Sequence, residues 1–258
     1  MSEFIRYEVA DRIATITIDR PEKRNAMTWD MLSAFDDAVA RAGADDHAQV
    51  VIVTGSGGAF CAGTDLSNLG SGLDRTPRTA DDVRDPWWPL GRCPKPVIAA
   101  VDGAAVGMGA EFTSQCDVRI ASTGARFAWN FVHRGLIPDT GAGTWLLPRL
   151  IGVQPALRLL FSGEFLSAAE ALEIGYVSAV VEPDELPDAA RSEAARFLAG
   201  SPLSQRLIKD LVYRGLGRDL AEHIANHIPA LQQCFASEDH KEGVASFLEK
   251  REAHFTGR

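Results

Sequence analysis

The chain lacks an excess of basic charge: 26 Lys and Arg stand against 35 Asp and Glu, a formal net charge of −9. No nucleic-acid-binding surface is expected from that balance. It also lacks any apolar run approaching the roughly 20 residues of a membrane span, and its start is not signal-like, so neither insertion nor export is expected. Cysteine is scarce. Cys61, Cys93, Cys116 and Cys234 show no Cys-x-x-Cys spacing. That argues against a disulfide framework or a structural zinc site, and it suits reduced thiols in the cytoplasm. Several motifs are missing as well. The two glycine-rich stretches, Gly55-Ser-Gly57-Gly-Ala-Phe60 and Gly107-Met-Gly109-Ala-Glu-Phe112, both want the third glycine of a dinucleotide fingerprint. A Phe in that place would block close helix–strand packing. Gly-x-Ser-x-Gly is absent. His223 and His227 share a helical spacing, but the Ile-Ala-Asn between them lacks the glutamate of a zinc protease, and no metal is expected.

What is present is a chain of 258 residues, 46% hydrophobic, enough for one large core. Its organising stretch is residues 95–117, KPVIAAVDGAAVGMGAEFTSQCD. The apolar run 97–101, bounded by Pro96 and Asp102-Gly103, reads as a buried strand. Gly103, Gly107 and Gly109 follow, then Glu111. The reading is strand, glycine loop, helix start near Met108. A helix start offers unpaired N–H groups and the positive end of the dipole, and Glu111 lies about one turn in. One segment can thus supply a donor to an oxyanion and a carboxylate to move a proton. A glutamate in a first helical turn also stabilises the helix by itself, and that alternative stays open; a capping box does not, because Met108 stands where Ser or Thr is needed.

Along the chain, residues 4–9 and 13–19 read as strands, and Thr28 caps a helix over 29–41 with Leu32, Phe35 and Val39 on one face. Residues 49–54 read as a buried parallel strand running into a second glycine loop, the place where open α/β sheets bind ligands. Residues 70–89 are irregular and end on Pro86-Trp87-Trp88-Pro89, a flap or pocket wall in which adjacent tryptophans cover something. Residues 118–121 and 125–129 suggest short strands, and 135–141 a turn into a helix ending near Leu150. Ser167-Ala-Ala-Glu170 is a capping box for a helix that stops at Gly175, with a strand at 177–181. The rest is helical, broken at Gly200-Ser-Pro202, at 215–217 and around Ser237. Strands alternating with helices, then helices alone, predict an α/β fold with a helical C-terminal region.

Taken together, certain stretches resemble the crotonase superfamily, the enoyl-CoA hydratase/isomerase family, over almost the whole chain. They are Arg20-Pro21 with Asn25-Ala26-Met27, Ala59-Phe60-Cys-Ala62-Gly63-Thr64-Asp65-Leu66, and Gly107-Met-Gly109-Ala-Glu111 with Cys116-Asp117. Gly135-Leu-Ile-Pro138-Asp139, Leu147-Pro-Arg-Leu-Ile-Gly152 and Phe247-Leu-Glu-Lys250-Arg251 complete the set. The resemblance implies a spiral of ββα turns over residues 1–200, and a helical region over 201–258 that drives trimerisation, often into dimers of trimers. It implies an acyl-CoA substrate, with coenzyme A as part of the substrate and no separate cofactor. It implies an oxyanion hole from the backbone N–H groups of Thr64 and Met108. Arg24, Ala26, Ala62, Gly63, Asp65, Leu66 and Gly109 would line the substrate and CoA site, with Lys250, of the same or a neighbouring subunit, reaching the CoA phosphates.

One departure from the family pattern bears on the chemistry. Hydratases of the family use two glutamates; Glu111 matches the first, and Phe131 stands in the place of the second. Relatives that share Pro138-Asp139 use that aspartate as the base in isomerases or in aromatic acyl-CoA chemistry. Asp139 would also make a good turn residue and helix N-cap. The reading adopted is catalytic: Glu111 and Asp139 move a proton, and the double bond of an enoyl-CoA is shifted or hydrated. Trp87, Trp88, Trp129 and Phe131 suggest an apolar acyl pocket. The rivals are an acyl-CoA-binding protein without catalysis and a CoA-thioester hydrolase.

Overall fold

The computed structural model describes residues 3–65 and 88–258; Leu66, Trp87 and most of the expected flap lie outside them. Strands β1 (Ile5–Ala10) and β2 (Ile13–Ile18) form an antiparallel hairpin that turns on Asp11 and Arg12, both at positive φ. Helix α1 (Trp29–Ala44) starts where the Thr28 hydroxyl accepts the Met31 N–H at 3.2 Å, and it buries the predicted Leu32, Phe35 and Val39. Then follow β3 (Val50–Gly55), β4 (Ala59–Cys61), α2 (Pro89–Arg92), β5 (Val97–Val101), β6 (Ala104–Val106) and α3 (Met108–Gln115). The chain continues through β7 (Val118–Ser122), β8 (Arg126–Ala128), a 3-10 turn (Asn130–Arg134), α4 (Ala142–Trp145), α5 (Leu147–Ile151) and α6 (Val153–Ser162). Strand β9 (Leu166–Ser167), α7 (Ala168–Glu173), β10 (Ala179–Val181), α8 (Leu186–Leu198), α9 (Pro202–Gly215), α10 (Leu220–Ala236) and α11 (Glu238–Glu249) complete it.

The strands sort into two sheets. The larger has the order β1-β2-β3-β5-β7-β10 and is parallel from β2 onward; the smaller is β4-β6-β8-β9, parallel as far as β8. The chain visits them alternately, β3 then β4, β5 then β6, β7 then β8, with helical segments following each pair. This is the expected α/β spiral of ββα turns with helices at the C-terminus. The unbroken apolar runs of β3 and β5 have a cause in packing. Val51, Val53, Val97, Ala99 and Val101 enter the main core, whereas Val50, Ile52, Ile98 and Ala100 meet Leu186, Ala190 and Ala194 of α8 on the other face. A strand covered on both sides has no place for a polar alternation.

Every residue of α3 is buried. Gly109 makes that possible, because a Cβ there would lie 2.1 Å from the Cys61 carbonyl oxygen of β4. Two sequence expectations are corrected around the next helical segment. The helix expected to run to about Leu150 breaks at Leu146 into α4 and α5, since Pro148 in the first turn of α5 has no N–H to continue the ladder. Its N-cap is Gly141, at φ 79°, not Asp139. The capping box at Ser167 and Glu170 is present as expected. Among the described residues, no helix is long and apolar enough to cross a membrane.

Candidate active site

Two loops are stitched together at the ends of the β2 and β4 strands. Arg24 and Asn25 are both left-handed, at φ 50° and 58°, a conformation that asparagine tolerates better than most side chains. The Asn25 side chain is fully buried: Nδ2 donates to the carbonyls of Ser56 (2.9 Å) and Ala59 (2.6 Å), and Oδ1 accepts the Arg20 N–H (2.7 Å). The Arg20 guanidinium donates to Asp65 at 2.7 Å and to the Ala26 carbonyl at 3.1 Å. Backbone bonds close the seam: Ala62 N–H to Arg24 O, Met27 N–H to Gly63 O, and Asp65 N–H to Met27 O. This is a one-residue parallel bridge between Met27 and Thr64. In that pattern the N–H of Thr64 itself points away from Met27.

The other side is the start of α3. A Cβ on Gly63 would lie 2.9 Å from Val106 O and 3.6 Å from Met108 N, so the Ala62–Thr64 backbone runs against the β6–α3 turn. Gly107 caps α3 at φ 55°. Met108 is the first helical residue, and its N–H has no acceptor within the helix. The sequence-predicted Thr64 and Met108 are therefore brought onto adjacent stretches of backbone, with the positive end of α3 beside them.

Glu111 sits one turn inside α3 and is fully buried. Burial pushes its carboxyl up to about 7; the nearby Asp139 charge adds to that, and a hydrogen bond from Thr140 opposes it. Thr140 donates to Oε2 at 2.5 Å. The N–H groups of Ala142 and Gly143, at the start of α4, also lower the proton affinity of the carboxylate, although neither closes a well-formed bond to the buried Oε1. Gly143 is the wall on that side. A Cβ there would lie 2.5 Å from Oε1, 2.9 Å from Trp129 Cδ1 and 3.0 Å from Pro138 Cγ. Phe131 is buried, its ring tip beside Gly107. A carboxyl that exchanges its proton near neutral pH, beside a helix start and apolar walls, can move a proton next to a carbonyl.

The structure thus gathers Arg24, Ala26, Ala62, Gly63, Thr64, Asp65, Met108, Gly109, Glu111, Phe131 and Asp139 around one place. Asp65 works there as a clamp on Arg20, and Gly109 as the contact that seats α3. Lys250 stands apart in the single chain, exposed at the left-handed C-cap of α11, and Leu66 lies outside the described residues. Sequence reasoning missed Thr140 and Gly143 as partners of Glu111, and the Trp88 indole that donates to the Thr140 carbonyl at 2.9 Å. The adjacent tryptophans hinted only at the last. His223 and His227 lie on α10 with ring centroids 6.1 Å apart, and no group of three potential metal ligands occurs among the described residues.

Comparison with known proteins points to one family. The family model for enoyl-CoA hydratase/isomerase matches residues 8–258. The chain is 36% identical to a crotonyl-CoA hydratase of Syntrophomonas wolfei, covering 99% of both, and 36% identical to a 1,2-epoxyphenylacetyl-CoA isomerase of Escherichia coli, covering 100% of both. The crystal structure of an enoyl-CoA hydratase from Bacillus anthracis superposes with a TM-score of 0.92 at 32% identity, covering 99% of this chain and 100% of that one.

Proposed function

The chain belongs to the enoyl-CoA hydratase/isomerase family, and from that premise we propose that its reaction passes through a thioester enolate held by the N–H groups of Thr64 and Met108. It is an enzyme of the hydratase/isomerase class; binding without turnover and thioester hydrolysis are not favoured. The observation that carries the mechanism is Glu111, a fully buried carboxyl whose proton affinity lies near neutrality. In the proposed step a carboxylate takes a proton from the carbon next to the thioester, and the electron pair moves onto the thioester oxygen. The two backbone donors stabilise that charge as it forms; losing one such donor costs about 2.7–4 kcal/mol of barrier in enzymes generally. Returning the proton two carbons further along shifts the double bond into conjugation. Adding water to a conjugated alkene, oxygen to the β-carbon and then a proton to the α-carbon, passes through a different thioester enolate with its charge at the same oxygen.

Of the two outcomes we favour isomerisation. Phe131 cannot hold water, and a drier pocket suits a proton carried between carbons. Asp139, whose field reaches Glu111 and which does not cap a helix, is the second proton carrier in this reading. Hydration has its own support in the names of the relatives. The stitched loops, from Arg24 and Ala26 to Ala62, Gly63, Asp65 and Leu66, would hold the CoA moiety, and the chain needs no cofactor beyond it. We further propose a homotrimer or dimer of trimers in the cytoplasm, in which Lys250 would serve the CoA phosphates of a neighbouring subunit. The deciding experiment measures Glu111→Gln and Asp139→Asn on 2-enoyl- and 3-enoyl-CoA in parallel. Isomerisation requires Asp139→Asn to lose at least about a hundredfold on 3-enoyl-CoA. If Glu111→Gln abolishes hydration while Asp139→Asn keeps every activity, the enzyme is a hydratase and Asp139 is a bystander.

A further inference from the structure

Thr140 touches Glu111 from outside the helix that carries it, and its own geometry is fixed from both ends. Its hydroxyl accepts the Ala142 N–H at 3.2 Å and lies 2.5 Å from Glu111 Oε2. A hydroxyl has one proton to give. With Ala142 donating to it, that proton points at the carboxylate. Its backbone carbonyl accepts the Trp88 indole N–H at 2.9 Å. Trp88 immediately precedes α2, which packs against α1 and α3, so the anchor comes from a different part of the chain than α4.

We propose that Thr140 is a positioning residue for Glu111: one charge-assisted hydrogen bond holds the carboxylate in a single orientation and favours its ionised form, and Trp88 holds Thr140 in place to make that bond. The proposal rests on the reading of Glu111 as a proton carrier. Its physical basis is the competition around the carboxyl. Burial and the charge of Asp139 both favour the protonated form, and a proton acceptor cannot work from it. Against them stand the Thr140 hydroxyl and the N–H groups of Ala142 and Gly143. Of the elements packed around α3, β4, β6 and α4 carry no charged side chain, and α2 carries only Arg92. Helix α1, whose Phe35 stacks on Phe112, carries Asp30, Asp36, Asp37 and Arg41, and Arg119 of β7 donates to the Thr113 carbonyl near the other end of α3. The charge of Asp139 reaches Glu111, and it acts in the wrong direction. Losing a hydrogen bond to a charged acceptor matters by about a factor of ten or more in rate.

The test uses the full chain and the variants Thr140→Val, Thr140→Ser, Trp88→Phe and Glu111→Gln. Two readouts are taken together. One is the pH profile of kcat and KM on 2-enoyl- and 3-enoyl-CoA. The other is a carbon-13 NMR titration of the Glu111 carboxyl, assigned by its disappearance in Glu111→Gln. The expected result for Thr140→Val is a titration midpoint above that of the wild type. The rising limb of kcat should follow it, with kcat down about tenfold and KM within about twofold. Thr140→Ser restores both, and Trp88→Phe moves the midpoint the same way by less. A Thr140→Val midpoint equal to that of the wild type overturns the proposal, as does failure of Thr140→Ser to restore it. If Thr140→Val does not fold, an unmoved midpoint in Trp88→Phe overturns it equally. Full turnover by Glu111→Gln removes the proton-carrier reading instead, and the NMR midpoint still decides whether Thr140 governs the carboxylate.

Discussion

A carboxyl that titrates at about 7 in the folded chain and at its ordinary 4.5 in the unfolded chain binds a proton more tightly when folded. The stability this lends is complete below about pH 4.5 and is lost as the pH rises through 7, where the folded state must keep a carboxylate away from water. Glu111→Gln should therefore unfold at a higher temperature than wild type at pH 8, by roughly 3 kcal/mol at most, and the gap should close toward pH 5. Equal differences at both pH values would mean that Glu111 is solvated. Gly143 poses the complementary test. A methyl group there meets Oε1, the Trp129 ring and Pro138 together; the carboxylate, at the end of a flexible side chain, gives way first, while the buried indole and the proline ring do not. Gly143→Ala should displace the carboxylate by about an ångström and cost kcat roughly a hundredfold. Its unfolding transition should remain cooperative; unchanged kcat would show that the carboxylate has room to spare.

Asp117 joins elements that are far apart in sequence. It accepts the Val97 N–H at the start of β5 (2.7 Å), the Lys209 ammonium (2.7 Å) and the Tyr213 hydroxyl (2.9 Å), the last two from α9. Lys209 also donates to the carbonyls of Leu90 and Lys95, and its side chain is only 9% exposed. Asp117→Ala would leave that ammonium buried without its counter-charge. The expected loss is about 3 kcal/mol, the lower end for breaking a buried pair because Asp117 keeps some solvent; urea unfolding measures it, and a loss below about 1 kcal/mol would show that α9 is fastened elsewhere. Such elements differ in how legible they were. Thr28 and the Ser167–Glu170 box could be read directly, because a cap is decided within four residues. The strands of the larger sheet were legible too, since burial on both faces leaves an unbroken apolar run. Asp139 looked like a cap and is not one, because the left-handed Gly141 ends the turn two residues later. Thr140 and Trp88 are 29 and 23 residues from Glu111, and no local pattern announces a meeting that the spiral brings about.

At the scale of the molecule, α10 is a long helix with no buried residue, yet Ile224, Ile228, Leu231 and Phe235 recur on it at intervals of four, three and four, all exposed. An apolar stripe of that kind is covered in a stable assembly. The wild type should sediment as a trimer or hexamer, and Ile228→Asp should lower the mass or the solubility. A fully active monomer would refute it. The placement of the site across the spiral has a further consequence. The proposed oxyanion donors, the N–H groups of Thr64 and Met108, are main-chain groups on two successive turns, whereas the neighbours of the carboxylate, Asp139, Thr140 and Gly143, all come from the third. Substitutions cannot easily alter the first set, since every residue type but proline carries the same N–H. In the second set they can rewrite the side chains of Asp139 and Thr140, while Gly143 has no room for one. Substitution therefore acts unequally on the two: it leaves the proposed main-chain donors in place and redirects where the proton goes.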